Sequence, residues 1–162
     1  MELKKRFDVR KFLIISYVLI FAVYIIYGLQ PARAAEAIKG HLTIGTIGLS
    51  TDVAAAETDE EGLITPDDIP AIYSTNPNKA LIYGHSAHIF EKLDLLKVGD
   101  AINYNNKEYY VTSVTVQKKE DVRMNGLLSG RERDTIILMT CAGELYGNGD
   151  ASHRLLVTAV EK

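Results

Sequence analysis

Thr135-Ile136-Ile137-Leu138-Met139-Thr140-Cys141 and Arg154-Leu155-Leu156-Val157-Thr158-Ala159-Val160 are the two stretches whose reading decides the fold of this chain. Both are short, apolar and dense in β-branched residues, and both read as strands. Between them lies Gly143-Glu144-Leu145-Tyr146-Gly147-Asn148-Gly149-Asp150, polar and glycine-rich, which suits a return loop. If the two strands pair as a hairpin, their facing ends bring Arg154 back near Cys141.

Working outward, the same pattern repeats. Ala80-Leu81-Ile82-Tyr83-Gly84 reads as a buried strand ending at a glycine. Val98-Gly99-Asp100 turns into a strand over Ala101–Tyr104. Asn105-Asn106 can supply the two positive-φ residues of a tight hairpin, and Glu108–Val116 follows as a strand rich in Tyr, Val and Thr. His41–Leu49 suits a first strand, and Glu57-Thr58-Asp59-Glu60-Glu61-Gly62 an acidic surface loop. Thr65-Pro66-Asp67-Asp68 is a local turn or helix start, with Thr65 available as a cap. Apolar residues at 89, 90, 93, 95 and 96 predict one short helix over Ile89–Leu96. The polar stretch 116–134 predicts a long loop with room for one helical turn. Many short strands, few helices and no alternation of strand and helix indicate a mainly antiparallel sheet or a closed barrel.

The N-terminus sets the compartment. Phe12–Leu29 holds no charged residue, and about 18 such residues lie near the lower limit for a membrane-spanning helix. Lys4, Lys5, Arg6, Arg10 and Lys11 precede the run, which predicts a cytoplasmic N-terminus and an extracytoplasmic remainder. Ala32-Arg33-Ala34 has the form of a signal-peptidase site, but the apolar run is longer than the roughly 7–15 residues of a signal-peptide core. The expected organisation is a basic tail (1–11), a transmembrane anchor (12–29), an Ala-rich linker (30–40) and one exported domain (41–162). That domain has about 120 residues, enough for its own core.

Charge excludes one class of function. The chain has a net charge of −3; the first eleven residues carry +3, which leaves −6 on the remainder. An acidic exported domain lacks the electrostatic footprint of a nucleic-acid binder.

Cys141 is the only cysteine. Outside the cytoplasm it cannot close an internal disulfide, so it is either an inert core residue or a working thiol. It ends a predicted strand, where rigid scaffolds present reactive groups. His85 follows the glycine that ends another strand and projects from an equally fixed frame. His41, His88 and His153 compete with it. One cysteine and histidines without metal-ligand spacing do not make a zinc site. Arg154 heads the last predicted strand. A guanidinium there is a solvated strand end unless it lies beside a thiol, where it can donate to a developing oxyanion.

Gly84-His85, then Leu138-Met139-Thr140-Cys141, then Arg154 heading a Leu-Leu-Val-Thr-Ala-Val strand, in that order and behind an anchor, resemble the sortase family. Its members are membrane-anchored cysteine transpeptidases, mainly of Gram-positive bacteria. The similarity spans roughly 41–162. The family's cysteine motif is Thr-Leu-x-Thr-Cys, and here Ile137 stands in its first position. The resemblance implies a closed β-barrel of about eight strands with one or two short helices, and His85, Cys141 and Arg154 as catalytic residues. It implies cleavage of a C-terminal sorting signal in secreted proteins through an acyl-thioester, then transfer to an amine of peptidoglycan or a pilin lysine. No cofactor is implied. Some sortases are stimulated by calcium, but Asp59, Glu60 and Glu61 read here as a solvated loop. Two other readings stay open: an exported cysteine protease with water as acceptor, and a non-catalytic tethered β-barrel that binds a partner.

Overall fold

The computed structural model describes residues 37–60, 62–130, 134–147 and 150–162. The basic tail, the anchor and most of the linker fall outside these residues. No helix among the described residues is long and apolar enough to cross a membrane.

The strands in chain order are β1 (Ile38–Ile44), β2 (Leu49–Ala55), β3 (Glu57–Asp59), β4 (Gly62–Ile64), β5 (Ala71–Asn76), β6 (Lys79–Tyr83), β7 (Ala101–Tyr104), β8 (Lys107–Lys118), β9 (Thr135–Leu145) and β10 (Ala151–Glu161). Eight of them close a barrel in the order β1-β2-β5-β6-β9-β10-β8-β7, while β3 and β4 form a separate ribbon. The closed mainly-β barrel agrees with the expectation from sequence. Two neighbour pairs, β2 with β5 and β6 with β9, are parallel, and the others are antiparallel. A parallel pair puts two strand C-terminal ends at the same rim of the barrel. The end of β6, at Tyr83, therefore lies beside Met139 of β9, although more than fifty residues separate them.

Side-chain alternation divides β9 and β10 between two cores. Ile136 and Leu138 on β9, with Leu155, Val157 and Ala159 on β10, fill the barrel with Leu42, Val53, Ile82, Phe90 and Ile102. Burying each such aliphatic side chain contributes about 1.5–3 kcal/mol. The alternate residues Ile137 and Leu156 face outward. They are covered there by Leu128, Leu81 and Tyr83, with Met139, Leu63, Met124 and Leu127 packed alongside. A single turn of helix, α1 (Met124–Leu127), supplies part of this cover.

The turn at Asn105-Asn106 forms as expected, with φ of 50° and 65°. Other local expectations need correction. The predicted first strand, His41–Leu49, is broken by a 3₁₀ turn at Gly45–Ile47, so its ends belong to β1 and β2. The acidic stretch predicted as a loop is the β3–β4 ribbon, closed by a bond from the Gly62 N–H to Asp59 Oδ1 (3.0 Å). β5 lies in a stretch that the sequence reading left without a strand. The helix expected over Ile89–Leu96 is a succession of turns ending in a 3₁₀ turn at Leu93–Leu95. Phe90, Leu93 and Leu96 are the residues it buries. Their spacing of three matches the 3.0-residue period of a 3₁₀ helix better than the 3.6 of an α-helix. Cys141 does not end its strand, since β9 runs on to Leu145, and β10 starts at Ala151, ahead of Arg154.

Candidate active site

Cys141 and Arg154 are direct partners in the β9–β10 ladder. Facing residues of an antiparallel pair point to the same side of the sheet, about 4.5–5.5 Å apart. Cys141 continues the outward row of Ile137 and Met139, so the pair lies on the outer wall of the barrel. His85 comes from the opposite flank. β6 pairs with β9 in parallel, with Leu81 beside Ile137 and Tyr83 beside Met139. Two residues beyond that last pair, Cys141 is still within β9, whereas His85 lies just past the end of β6. The three sequence-predicted residues thus lie on β9, on β10 and just past the end of β6, strands that are neighbours in the barrel.

Local bonds fix where β6 stops. The Gly84 N–H donates to the Met139 carbonyl (3.2 Å), and the buried Thr140 hydroxyl donates to the Gly84 carbonyl (2.8 Å). The chain then turns sharply, with the His88 and Phe90 N–H groups bonding back to the His85 carbonyl. Position 84 must be glycine for this turn to pack, because a Cβ there would sit 2.7 Å from Ile89 Cγ2. The His85 ring is 39% exposed, 3.9 Å from Asp67 Oδ1 and edge-on to His88. No hydrogen bond joins it to the Cys141 thiol among the described residues.

A cavity of about 150 Å³ opens at this place, lined by Leu63, Thr65, Tyr83, Gly84, Met139 and Thr140 around Cys141 and Arg154. Its roof is the β3–β4 ribbon and the residues after it. Tyr83 holds that roof down by donating its hydroxyl to the Ile64 carbonyl (2.9 Å). Burial, with a smaller contribution from Glu57, pushes the Tyr83 phenol up to about 12, so it stays a proton donor. The cavity therefore joins apolar side chains to a thiol and a guanidinium.

Arg154 is 14% exposed and held by three bonds. Nη1 donates to the carbonyls of Ala151 (3.0 Å) and His153 (2.9 Å), and Nη2 to Asp150 Oδ1 (2.6 Å). Asp150 also accepts from the Ala151 N–H (2.8 Å) and pairs with Lys119 through Oδ2. Lys119 first, then Arg154 and the Ala151 N–H, hold the Asp150 carboxyl well below the usual carboxylate range. A lowered folded-state pKa contributes stability above the unfolded value of about 3.9, and that stability is lost as pH falls through the folded value.

Just past Cys141 the ladder is interrupted. Ala142 pairs with His153 and Leu145 with Ala151, so β9 carries one extra residue there. Gly143, at φ +77°, makes this bulge, and the Glu144 N–H bonds to Ser152 Oγ (2.9 Å). A Cβ at Gly143 would lie 2.6 Å from Ser152 Oγ and 2.7 Å from His153 Nδ1. Gly143→Ala is therefore expected to lose about 1–2 kcal/mol from the left-handed backbone, with the steric clash adding to it. A urea melt checks this, and an unchanged midpoint would show that the bulge relaxes freely.

The other histidines have separate surroundings. His153 bonds to Ser152 Oγ (2.8 Å) and alternates away from Arg154. His41 links Asp52 (2.8 Å) and Ser50 (3.0 Å) on the outside of β1 and β2. His41 and Asp52 are more than half exposed there, as in a solvated cross-strand network. Asp150, Lys119, Tyr83 and the ribbon escaped the sequence reading. No spacing rule links Asp150 to an arginine four residues on outside a helix.

A family model described as the Sortase domain matches residues 38–162. No curated protein matches the sequence. Among solved structures, the chain is similar to a lid mutant of sortase A from Corynebacterium diphtheriae, at 28% identity and a TM-score of 0.63, over 83% of this chain and 75% of that one. It is also similar to sortase C-1 from Actinomyces oris, at 26% identity and a TM-score of 0.60, over 79% of this chain and 74% of that one. Sortase A from Listeria monocytogenes shares the fold at 14% identity, with a TM-score of 0.61 over 78% of this chain and 88% of that one.

Proposed function

The chain belongs to the sortase family, and from that premise we propose that it is a membrane-anchored cysteine transpeptidase acting outside the cytoplasm. The observation that carries this reading is the facing of Cys141 and Arg154 across β9 and β10 at one cavity, with His85 two residues past the Tyr83–Met139 pair that ends the β6–β9 ladder. The anchor rests on the uncharged run Phe12–Leu29 behind its basic flank.

The thiolate, not the thiol, is the nucleophile in cysteine chemistry. In the proposed cycle the Cys141 thiolate attacks the carbonyl of a threonine–glycine type bond in the sorting signal of a secreted protein. Arg154 uses the N–H groups its three bonds leave over, on Nε and Nη2, to donate to the oxyanion. His85 protonates the departing amine, and the C–N bond breaks to leave an acyl-thioester on Cys141. An incoming amine from the cell wall or a pilin lysine attacks that thioester and gives its proton to His85. The thiolate leaves, and a new amide is formed.

The test is mass spectrometry of the full chain in detergent, mixed with a panel of peptides that each hold a Thr-Gly bond, with and without a primary amine. The expected result is a covalent adduct on Cys141 and an amide product when amine is present. Hydrolysed peptide alone, unchanged by amine, would make the enzyme a protease. An unmodified thiol with every peptide would leave a binding domain.

A further inference from the structure

The β9–β10 ladder fixes the backbone of Arg154 but not its guanidinium. An arginine side chain has about 2 kcal/mol of rotamer entropy to lose before it can hold one position. Two of the bonds that settle it run from Nη1 to backbone carbonyls of β10 itself. The only side chain that holds the guanidinium, among the described residues, is Asp150.

Asp150 is itself fixed at both oxygens. Oδ1 takes the Ala151 N–H as well as Arg154 Nη2, and Oδ2 pairs with Lys119. Lys119 belongs to the 3₁₀ turn Lys119–Asp121, which opens the long connection from β8 to β9. The carboxylate is 24% exposed and the guanidinium 14%, so the pair is largely out of water and weakly screened by salt. Lys119, Asp150 and Arg154 therefore form one chain of charges. It runs from the connection after β8, through the β9–β10 return, to the group facing Cys141.

We propose that Asp150 is a positioning residue that holds the Arg154 guanidinium in place beside Cys141, with Lys119 steadying Asp150 in turn. The inference rests on the transpeptidase reading and deepens it. A donor aimed in advance at the forming oxyanion spends nothing on reorganisation at the moment of reaction. Loss of the aim removes stabilisation of the transition state while ground-state binding of the peptide is kept, so kcat falls rather than KM rising.

The experiment compares wild type, Asp150→Asn and Asp150→Glu as full chains in detergent. The substrate is the Thr-Gly peptide that acylates wild type fastest, and rates are taken per folded molecule from a parallel thermal melt. Asp150→Asn keeps the shape and removes the charge. It is expected to lower kcat for acyl-enzyme formation about tenfold with KM within about threefold, while Asp150→Glu restores most of the rate. A merely structural role would lower the melting temperature of Asp150→Asn and leave kcat of the folded fraction unchanged, which overturns the proposal. A rise in KM at constant kcat, or a Glu variant as slow as the Asn variant, overturns it as well. If wild type itself forms no adduct, the transpeptidase reading fails and takes this inference with it. A working wild type with an equally fast Asn variant defeats the inference alone.

Discussion

Cys141→Ala is expected to abolish acyl-enzyme formation and all peptide turnover. Covalent catalysis divides a difficult amide transfer into two easier displacements at sulfur, and alanine offers nothing to attack with. Removing such a nucleophile costs on the order of 10⁶ in kcat, below detection for a slow enzyme. The fold should survive the change. Cys141 is half-buried, outside both packed cores, and its backbone bonds belong to the β9 ladders, which alanine keeps. The check is intact-mass analysis beside a thermal melt. A folded Cys141→Ala chain that still transferred peptide to an amine would end the cysteine mechanism.

Arg154→Ala carries the second largest expected effect, a fall in kcat of about 10²–10³, the scale for losing one oxyanion donor. Arg154→Lys should recover little of it. A lysine ammonium is a compact point charge without the planar fork of guanidinium N–H groups, so it cannot bond Ala151, His153 and Asp150 and still present donors to substrate. In Arg154→Ala the Asp150 carboxylate keeps Lys119 and the Ala151 N–H, so no buried charge is orphaned and the melting temperature should move little. Single-turnover acylation measures the loss. A rate within about threefold of wild type would remove Arg154 from the chemistry and leave it as a structural residue.

Asp150 changes the reading of Arg154. From sequence, a guanidinium at the head of an apolar strand has a bland interpretation as a solvated end. The structure makes it a mostly buried group with a carboxylate on one side and a thiol-bearing strand on the other. The extra residue in β9 resets the ladder between Ala142 and Leu145, beside the return where Asp150 meets Arg154. The Gly-rich composition of 143–149 announced a loop, but neither a strand running on to Leu145 nor a bulge inside it.

Residue chemistry and short-range periodicity were enough for much of the rest. The apolar runs 135–141 and 154–160 mark β9 and β10, and two consecutive asparagines supply the positive φ of the β7–β8 turn. The pairing of Cys141 with Arg154 followed from a hairpin, a contact between neighbours along the chain. Those properties are local, because each depends on the stereochemistry of a few consecutive residues. His85 is a different case. Only the parallel pairing of β6 with β9 brings the end of β6, with His85 just past it, beside the strand of Cys141, across an intervening segment that forms β7 and β8. No local rule selects a partner strand at that distance; the choice is made by which apolar faces can be buried together when the barrel closes. The β3–β4 ribbon over the cavity and the Lys119–Asp150–Arg154 chain arise in the same way, from groups that meet only after closure.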